Sequence, residues 1–474
     1  MSTRRTAVVV GSGPNGLAAA VALAQQGVSV TVLEAASEIG GGTRTAELTE
    51  PGVLHDVCSA IHPFGVASPY LRTLPLAEHG LRWVWPEIDV AHPLEDGSVG
   101  VLAGDVVQTA AGLGVDGRRW RQVFGPLEAA FPQLADDILG PLLSVPKHPI
   151  KLAQFGLRAG LPATVLAKTF KTPQAQALFL GCAAHVYRPL NRPASAAVGA
   201  MMIAAGHVHG WPAAQGGSQA ITTALASLLG ELGGSIVLDH RVSSVTDLPA
   251  ADVTLFDTTP TGFADIVGDL APSRLGKAYR SWKYGPAAFK VDIAVRDGVP
   301  WTAPEARKAG TVHVGGSPDV VVQAERDVVA GRMPERPFIL VGQQYLADPT
   351  RSAGDLHPIW AYAHVPNGYA GDATGAVLDE IERYAPGFRD RVVSTSVMTP
   401  ADYESYNANY VGGDIAAGSN SLPQLIARPA LTADPYDTGV PGMYLCSAST
   451  PPGAGVHGMC GYRAAQSALK HLRR

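Results

Sequence analysis

The chain has 474 residues, too many for one ordinary core and suited to two intimately joined domains. Apolar residues make up 46 % and charged residues 16 %, a globular balance with ample material for burial. The formal net charge of −5 leaves no electrostatic footprint for nucleic acid, so the expected partner is a small, apolar organic molecule.

At the start, Arg4-Arg5 and the apolar residues after them imitate a secretory signal, but the glycine-rich run beginning at Gly11 interrupts the stretch where a signal keeps its apolar core. No signal is expected. Nor does any uninterrupted apolar run reach the ~18 residues of a membrane span. Thr6 to Val10 is β-branched and reads as a buried parallel strand. It leads into Gly11-Ser12-Gly13-Pro14-Asn15-Gly16 and an Ala- and Leu-rich helix from Leu17 to about Gln26. A second strand, Val28 to Leu33, ends on Glu34. In such a βαβ unit the first glycine permits the tight turn. The second lets the backbone approach a pyrophosphate, and the third allows close helix–strand packing. The helix N-terminus offers N–H groups and a positive dipole end to phosphates, and Glu34 stands where ribose hydroxyls are held. A nucleotide-free glycine turn is the bland alternative, and the flanking strand, helix and acid argue against it.

Gly40-Gly41-Gly42-Thr43-Arg44 follows where a plain dehydrogenase would continue its alternating units. A second glycine cluster with an arginine suits an extended cofactor with Arg44 near the pyrophosphate, so FAD is expected rather than a nicotinamide. The four cysteines, Cys58, Cys182, Cys446 and Cys460, have no C-x-x-C or zinc spacing. They read as reduced structural thiols of a cytoplasmic protein, not a dithiol flavin reductase. From Pro141 to Lys171 apolar residues mix with Lys147, His148, Lys151, Arg158, Lys168 and Lys171. An ordinary solvated helical face is favoured there over peripheral contact with a membrane surface. Ser195 to Gly206 is the most apolar helical run; plain core is favoured over a tunnel lining. His207 and His209 lack a third ligand, so no metal is expected.

Near the C-terminus, Gly439 to Ser447 reads as a turn and a buried strand, followed by Gly453, Gly455 and Gly458 in a second G-x-G-x-x-G and a helix to about Leu472. Only 16 residues follow Gly458, too few for another βαβ unit of about 30. Either this is a capped terminal helix or its N-terminus faces the N1–C2=O edge of a flavin; read alone, the first prevails.

These segments together resemble the phytoene desaturase-like FAD oxidoreductases, within the amine oxidase-like flavoprotein group. The resemblance rests on VVVGSGPNGLAAAVALAQQG with VLEA, GGGTRT, QGGSQAITTALASLLGELGG with IVLDHRV, and LCSASTPPGAGVHGMCGYRAA. The segment TPADYESYNANYVGGDIAAGSNSLPQLIARP looks closest to one branch of that group. The resemblance implies an α/β protein: a Rossmann-type FAD domain of residues 1–75, 212–265 and 420–474, and an interleaved α+β substrate domain of 76–211 and 266–419 on a mixed sheet. It implies that Gly11, Ser12, Gly13, Pro14, Asn15, Gly16 and Glu34 hold adenosine and pyrophosphate. Gly41, Gly42, Thr43 and Arg44 match the second glycine motif. Val242 matches a position at adenine, and Gly455, Val456 and His457 the segment under the isoalloxazine ring. Two departures stand out. Val456-His457 replaces the apolar residue and proline of carotenoid desaturases, and Ser447-Ala448-Ser449 lacks the acid found at that strand end in many flavoproteins.

Flavin oxidation needs placement and electrostatics more than a nucleophile. Lys290, inside the apolar run AAFKVDIAV, is the first candidate, since flavin amine oxidases hold a water near N5 with a lysine; a solvent-facing edge lysine is the equal alternative. His457 and His62 follow, against the reading of hydrogen-bonded core histidines. Tyr187-Arg188 reads equally as a carboxylate contact or a loop pin. The expected activity is an FAD-dependent desaturase or dehydrogenase acting on CH–CH bonds. Amine oxidase and redox-neutral isomerase are the alternatives. With no second nucleotide fold for NAD(P)H, the electron acceptor is left open among oxygen, a quinone and other carriers.

Overall fold

The structure is a computed structural model that describes residues 5–473; Arg4, weighed above as part of a signal, lies outside them. Two sheets organise the chain. A five-stranded parallel sheet runs in the order Met443–Leu445, Val253–Phe256, Thr6–Val10, Ser29–Leu33, Ser235–Val237. Its central strand is buried from Ala7 to Val10, the pattern of a parallel strand covered on both faces. Helix Pro14–Ala24 begins with proline at its first turn, where the missing N–H is no loss, and is buried along almost its whole length. It is covered by the terminal helix Met459–Leu472 and by Gln219–Glu231. The expected mixed α/β class, with a Rossmann-like half, is what the chain adopts.

The second sheet has seven strands in the order Val392–Met398, Ala287–Arg296, Leu356–Val365, Ile339–Gly342, Ala309–Val314, Ile88–Pro93, Val99–Leu102. One neighbouring pair, Ala309–Val314 with Ile88–Pro93, is parallel and the others antiparallel. Side chains alternate across a strand, and here the two faces differ sharply. Phe289, Val291, Ile293, Val312, Val341 and Ile359 form an apolar layer that packs with Val377 and Ile381 of helix Thr374–Tyr384. The opposite face carries Lys290, Asp292, Trp360, Tyr362, His364, His313 and His92. Over that polar and aromatic face lie helices from the stretch 106–209, chiefly Pro173–Ala184 and Ala196–His209. A buried sheet with one polar face requires partners for each polar group, and that is the face on which the site is built.

Candidate functional site

A cavity of about 1020 Å³ runs from the C-terminal ends of the parallel strands to the polar face of the mixed sheet. Ligands of open α/β sheets lie at those strand ends. Three neighbouring strands deliver Gly11, Glu34 and Asp257 there. Ser12, Gly13, Pro14, Asn15, Gly41, Gly42, Arg44, Val242, Gly455 and Val456 also line the cavity. Gly16 and Thr43 stand one layer behind: a Cβ on Gly16 would lie 2.1 Å from the Gly11 carbonyl oxygen, and Thr43 Oγ1 donates to the Gly40 carbonyl at 2.8 Å. A Cβ on Gly13 would meet Asp257 Oδ2 at 2.8 Å, and one on Gly41 would meet Gly13 Cα at 3.0 Å. Glycine at these positions lets the turn, the helix start and Asp257 pack directly on one another, and the cradle so formed, open to the cavity and with the partnerless Asn15 Oδ1 beside it, fits a dinucleotide.

Glu34 Oε2 accepts from Ser12 N at 2.8 Å and Ser12 Oγ at 2.6 Å, while Oε1 accepts from Ala36 N at 2.9 Å. Arg44 reaches Glu34 at 3.7 Å, donates to the carbonyls of Ile39 and Glu38, and lies 5.1 Å over the Tyr406 ring. The segment 405–410, expected within the substrate domain, closes the cavity beside the glycines. Tyr406 donates to the Gly41 carbonyl at 2.5 Å, and Asn409 bridges Thr259 N and the Asp257 carbonyl.

Asp257 was not anticipated. The strand before the C-terminal glycines lacks an acid, but its neighbour in the sheet, Val253–Phe256, supplies one. Burial pushes the Asp257 carboxyl up to about 7, opposed by the Gly16 N–H it accepts at 3.0 Å and reinforced by the charge of Glu34. Phosphates brought beside it favour its neutral, hydrogen-donating form. Binding of ADP, the half shared by dinucleotides, therefore takes up a proton. Its affinity is expected to fall as pH rises above about 7, by at most about tenfold per pH unit, and Asp257→Asn should flatten the profile. Calorimetry in buffers of different ionisation enthalpy checks both; pH-independent affinity in the unmodified protein would refute the assignment.

The three catalytic candidates separate. His62 lines the cavity, with Nε2 2.8 Å from Ser218 Oγ; burial lowers it to about 4, so it is neutral. Lys290 is neither at solvent nor on the cavity wall. It is fully buried and paired with Asp292, which approaches His55 Nδ1 at 3.3 Å. It stands behind Cys58, which does line the cavity. The ring of His457 also points away from the cavity: Nδ1 accepts from Met459 N at 3.1 Å, at the start of the terminal helix. Burial lowers it to about 4, giving a neutral side chain that caps the helix, while its backbone stays beside Val456. Tyr187 lines the cavity and Arg188 does not.

Helix Ala196–His209 is both core and lining, since Ala197, Val198, Met201 and Met202 face the cavity. Its His207 accepts from Trp120 Nε1 at 3.1 Å. Among the described residues, no group of three or more His, Cys, Asp and Glu side chains is placed to hold a metal ion. All four cysteines are free and buried. The stretch read as a solvated face contributes Leu142, Leu152 and Phe155 to the cavity. Outside it, Leu143, Val145, Ile150 and Leu157 are exposed. Among the described residues, no helix is long and apolar enough to cross a membrane.

Fold and cavity define a Rossmann-like dinucleotide site opening into a largely apolar chamber, and the relatives it resembles are named as oxidoreductases and desaturases. Residues 9–74 match the NAD(P)-binding Rossmann-like domain family. The chain is 26 % identical to pyridine nucleotide-disulfide oxidoreductase domain-containing protein 2 of Rattus norvegicus, over 98 % of this chain and 94 % of the relative. It is 25 % identical to hydroxyneurosporene desaturase of Rhodobacter capsulatus, over 96 % and 95 %. A double mutant of putrescine oxidase has the same fold, with a TM-score of 0.64 and 18 % identity over 99 % of both chains. Along nearly its whole length the chain is thus similar to the Rattus norvegicus protein and to a desaturase, and it shares its fold with putrescine oxidase.

Proposed function

We propose that the chain binds FAD and oxidises an apolar or conjugated organic molecule, as a desaturase or dehydrogenase acting on a CH–CH bond. The observation that carries this reading is the single cavity, continuous from the glycine cradle to a chamber walled by Leu152, Phe155, Met201, Met202 and Leu340. A nicotinamide dinucleotide would leave the second glycine cluster, Gly41 to Arg44, without work. FAD, when bound, supplies the hydride-accepting ring. The residues do the rest. The glycines and Arg44 hold pyrophosphate, Glu34 and Val242 the adenosine, and the Gly455–Val456 backbone supports the ring. The chamber side chains exclude water, and His62 stays neutral beside them. Hydroxyneurosporene desaturase, by its name a desaturase, supports the reaction class.

An amine substrate is disfavoured by charge. The carboxylates lining the cavity, Glu34 and Asp257, belong to the cradle, which leaves a protonated amine in the chamber without a counter-ion. The exposed apolar side chains Leu143, Val145 and Ile150, in the stretch that also gives Leu142 and Leu152 to the cavity, suit a substrate delivered from an apolar phase. The electrons then leave to an external acceptor, because one nucleotide-binding sheet is present among the described residues.

The test is anaerobic titration of the purified, FAD-loaded protein with polyenes, enones and amines while its flavin absorbance is recorded. Bleaching by a polyene or enone is the expected result. Bleaching by amines alone would replace the reading with amine oxidation, and a protein that binds no FAD would overturn it.

A further inference from the structure

The chamber is mostly apolar, with an uncharged polar wall on one side. There Tyr362 and Thr311, from the polar face of the mixed sheet, and His185, at the end of helix Pro173–Ala184, all line the cavity. Thr311 is 3 % exposed and its Oγ1 has no hydrogen-bond partner. Beside Tyr362 on the cavity wall is Tyr187, whose hydroxyl neighbours that of Tyr362 without forming a well-aligned hydrogen bond. Tyr187 adopts a left-handed backbone (φ 53°), an uncommon conformation for a non-glycine residue. Its ring stacks on His364 at 4.0 Å, and His364 Nδ1 is 2.6 Å from the buried Glu325 Oε1. His185 Nε2 lies 3.1 Å from His313 Nε2, and burial lowers His185 to about 3, so it is uncharged.

Buried polar groups are expensive to leave unpaired, so a wall of this kind within an apolar chamber calls for a ligand atom to meet it. A charged group would lose its hydration there against neutral partners. Arg428, which also lines the cavity, donates to the carbonyl oxygens of Ser449, Gly418 and the Asn420 side chain at 3.2, 3.5 and 3.3 Å. A pure hydrocarbon would leave the Tyr362 hydroxyl with only the poorly aligned Tyr187 hydroxyl beside it.

We propose that the wall formed by Tyr362, Thr311 and His185 recognises a neutral oxygen, a hydroxyl or carbonyl, carried by an otherwise apolar ligand. Tyr362 donates to that oxygen, Thr311 and His185 flank it, and Tyr187 positions Tyr362. The substrate class is then an apolar molecule with one neutral oxygen function. This rests on the oxidoreductase reading for what happens next, but not for the binding itself.

The experiment titrates FAD-loaded protein anaerobically with a sesquiterpene hydrocarbon and with its terminal alcohol, aldehyde, carboxylate and amine. Binding is followed through the fluorescence of Trp211 and Trp360, which line the cavity, and by calorimetry; flavin absorbance is recorded in parallel. The alcohol or aldehyde should bind roughly ten- to a hundredfold more tightly than the hydrocarbon. Tyr362→Phe should erase that preference while leaving hydrocarbon affinity and flavin content unchanged, and Thr311→Val should reduce it several-fold. Equal affinity for hydrocarbon and alcohol, or a preference that survives Tyr362→Phe, overturns the proposal. Tightest binding of the carboxylate also does so, moving recognition to Arg428, as does tightest binding of the amine. Head-group preference without bleaching sinks the oxidation reading and leaves this proposal standing; bleaching without head-group preference does the reverse.

Discussion

Replacing Arg351 with methionine should destabilise the protein by about 3–5 kcal/mol, the usual cost of removing one member of a buried ionic network. Arg351 is fully buried. Its Nη1 meets Asp56 Oδ2 at 2.5 Å, its Nε meets Asp348 Oδ2 at 3.3 Å, and its Nη2 donates to the Ala214 carbonyl at 2.7 Å. Burial alone would raise Asp56, but Arg351 and the Ser218 N–H outweigh it and hold that carboxyl below its usual value. Without the guanidinium, Asp56 and Asp348 become uncompensated charges in the interior. The network also ties three distant segments together: Asp348 accepts from Gly216 N at 2.7 Å and Asp56 from Ser218 N at 2.7 Å. Since Ser218 in turn holds His62, damage should reach the cavity wall as well. Denaturant unfolding of Arg351→Met against the parent measures the loss. Arg351→Lys, which keeps the charge but not the fork geometry, should fall between them. A shift below about 1 kcal/mol, the range of exposed pairs, would show that the network is not closed as described.

Gly16→Ala should weaken dinucleotide binding by one to two orders of magnitude. Its Cβ would lie 2.1 Å from the Gly11 carbonyl and 3.2 Å from Asp257 Oδ2, so the first turn of the helix must move off the strand. Overpacking of this kind costs about 1–3 kcal/mol, each 1.4 kcal/mol being tenfold in affinity. The displaced backbone is the one that approaches the phosphates, so the loss falls on the ligand. Flavin content of the purified variant and its ADP affinity by calorimetry report the effect. Unchanged affinity would show that the glycine serves some need other than close packing.

The dinucleotide half could be read from the chain because its glycines, strand and acid perform local steric jobs at fixed separations. Strand Thr6–Val10 and helix Pro14–Ala24 fell within a few residues of expectation for that reason. Asp257 escaped because a lone acid after VTLF has no marker in sequence; it matters only once Val253–Phe256 lies beside Thr6–Val10. Lys290 was weighed as a residue near the flavin against an edge lysine at solvent, and it lies buried away from both solvent and cavity, paired with Asp292. Asp292, two residues on, shares its sheet face, and that alternation was visible in AAFKVDIAV. The polar wall could not be foreseen, since His185, Thr311 and Tyr362 come from three remote segments. Helix Ala196–His209 is apolar all round, and no pattern within it tells a neighbouring side chain from an empty chamber.

The terminal helix Met459–Leu472 lies against helix Pro14–Ala24 so tightly that a Cβ on Gly461 would come within 1.8 Å of the Asn15 carbonyl oxygen. The partner of the first helix is thus a segment remote in sequence, and closing this contact is a long-range step. Until it closes, the apolar face of helix Pro14–Ala24 is uncovered, and exposed faces of that kind are where aggregation begins. The nucleotide cradle at the start of that helix is therefore completed by distant packing and not by the local βαβ unit alone.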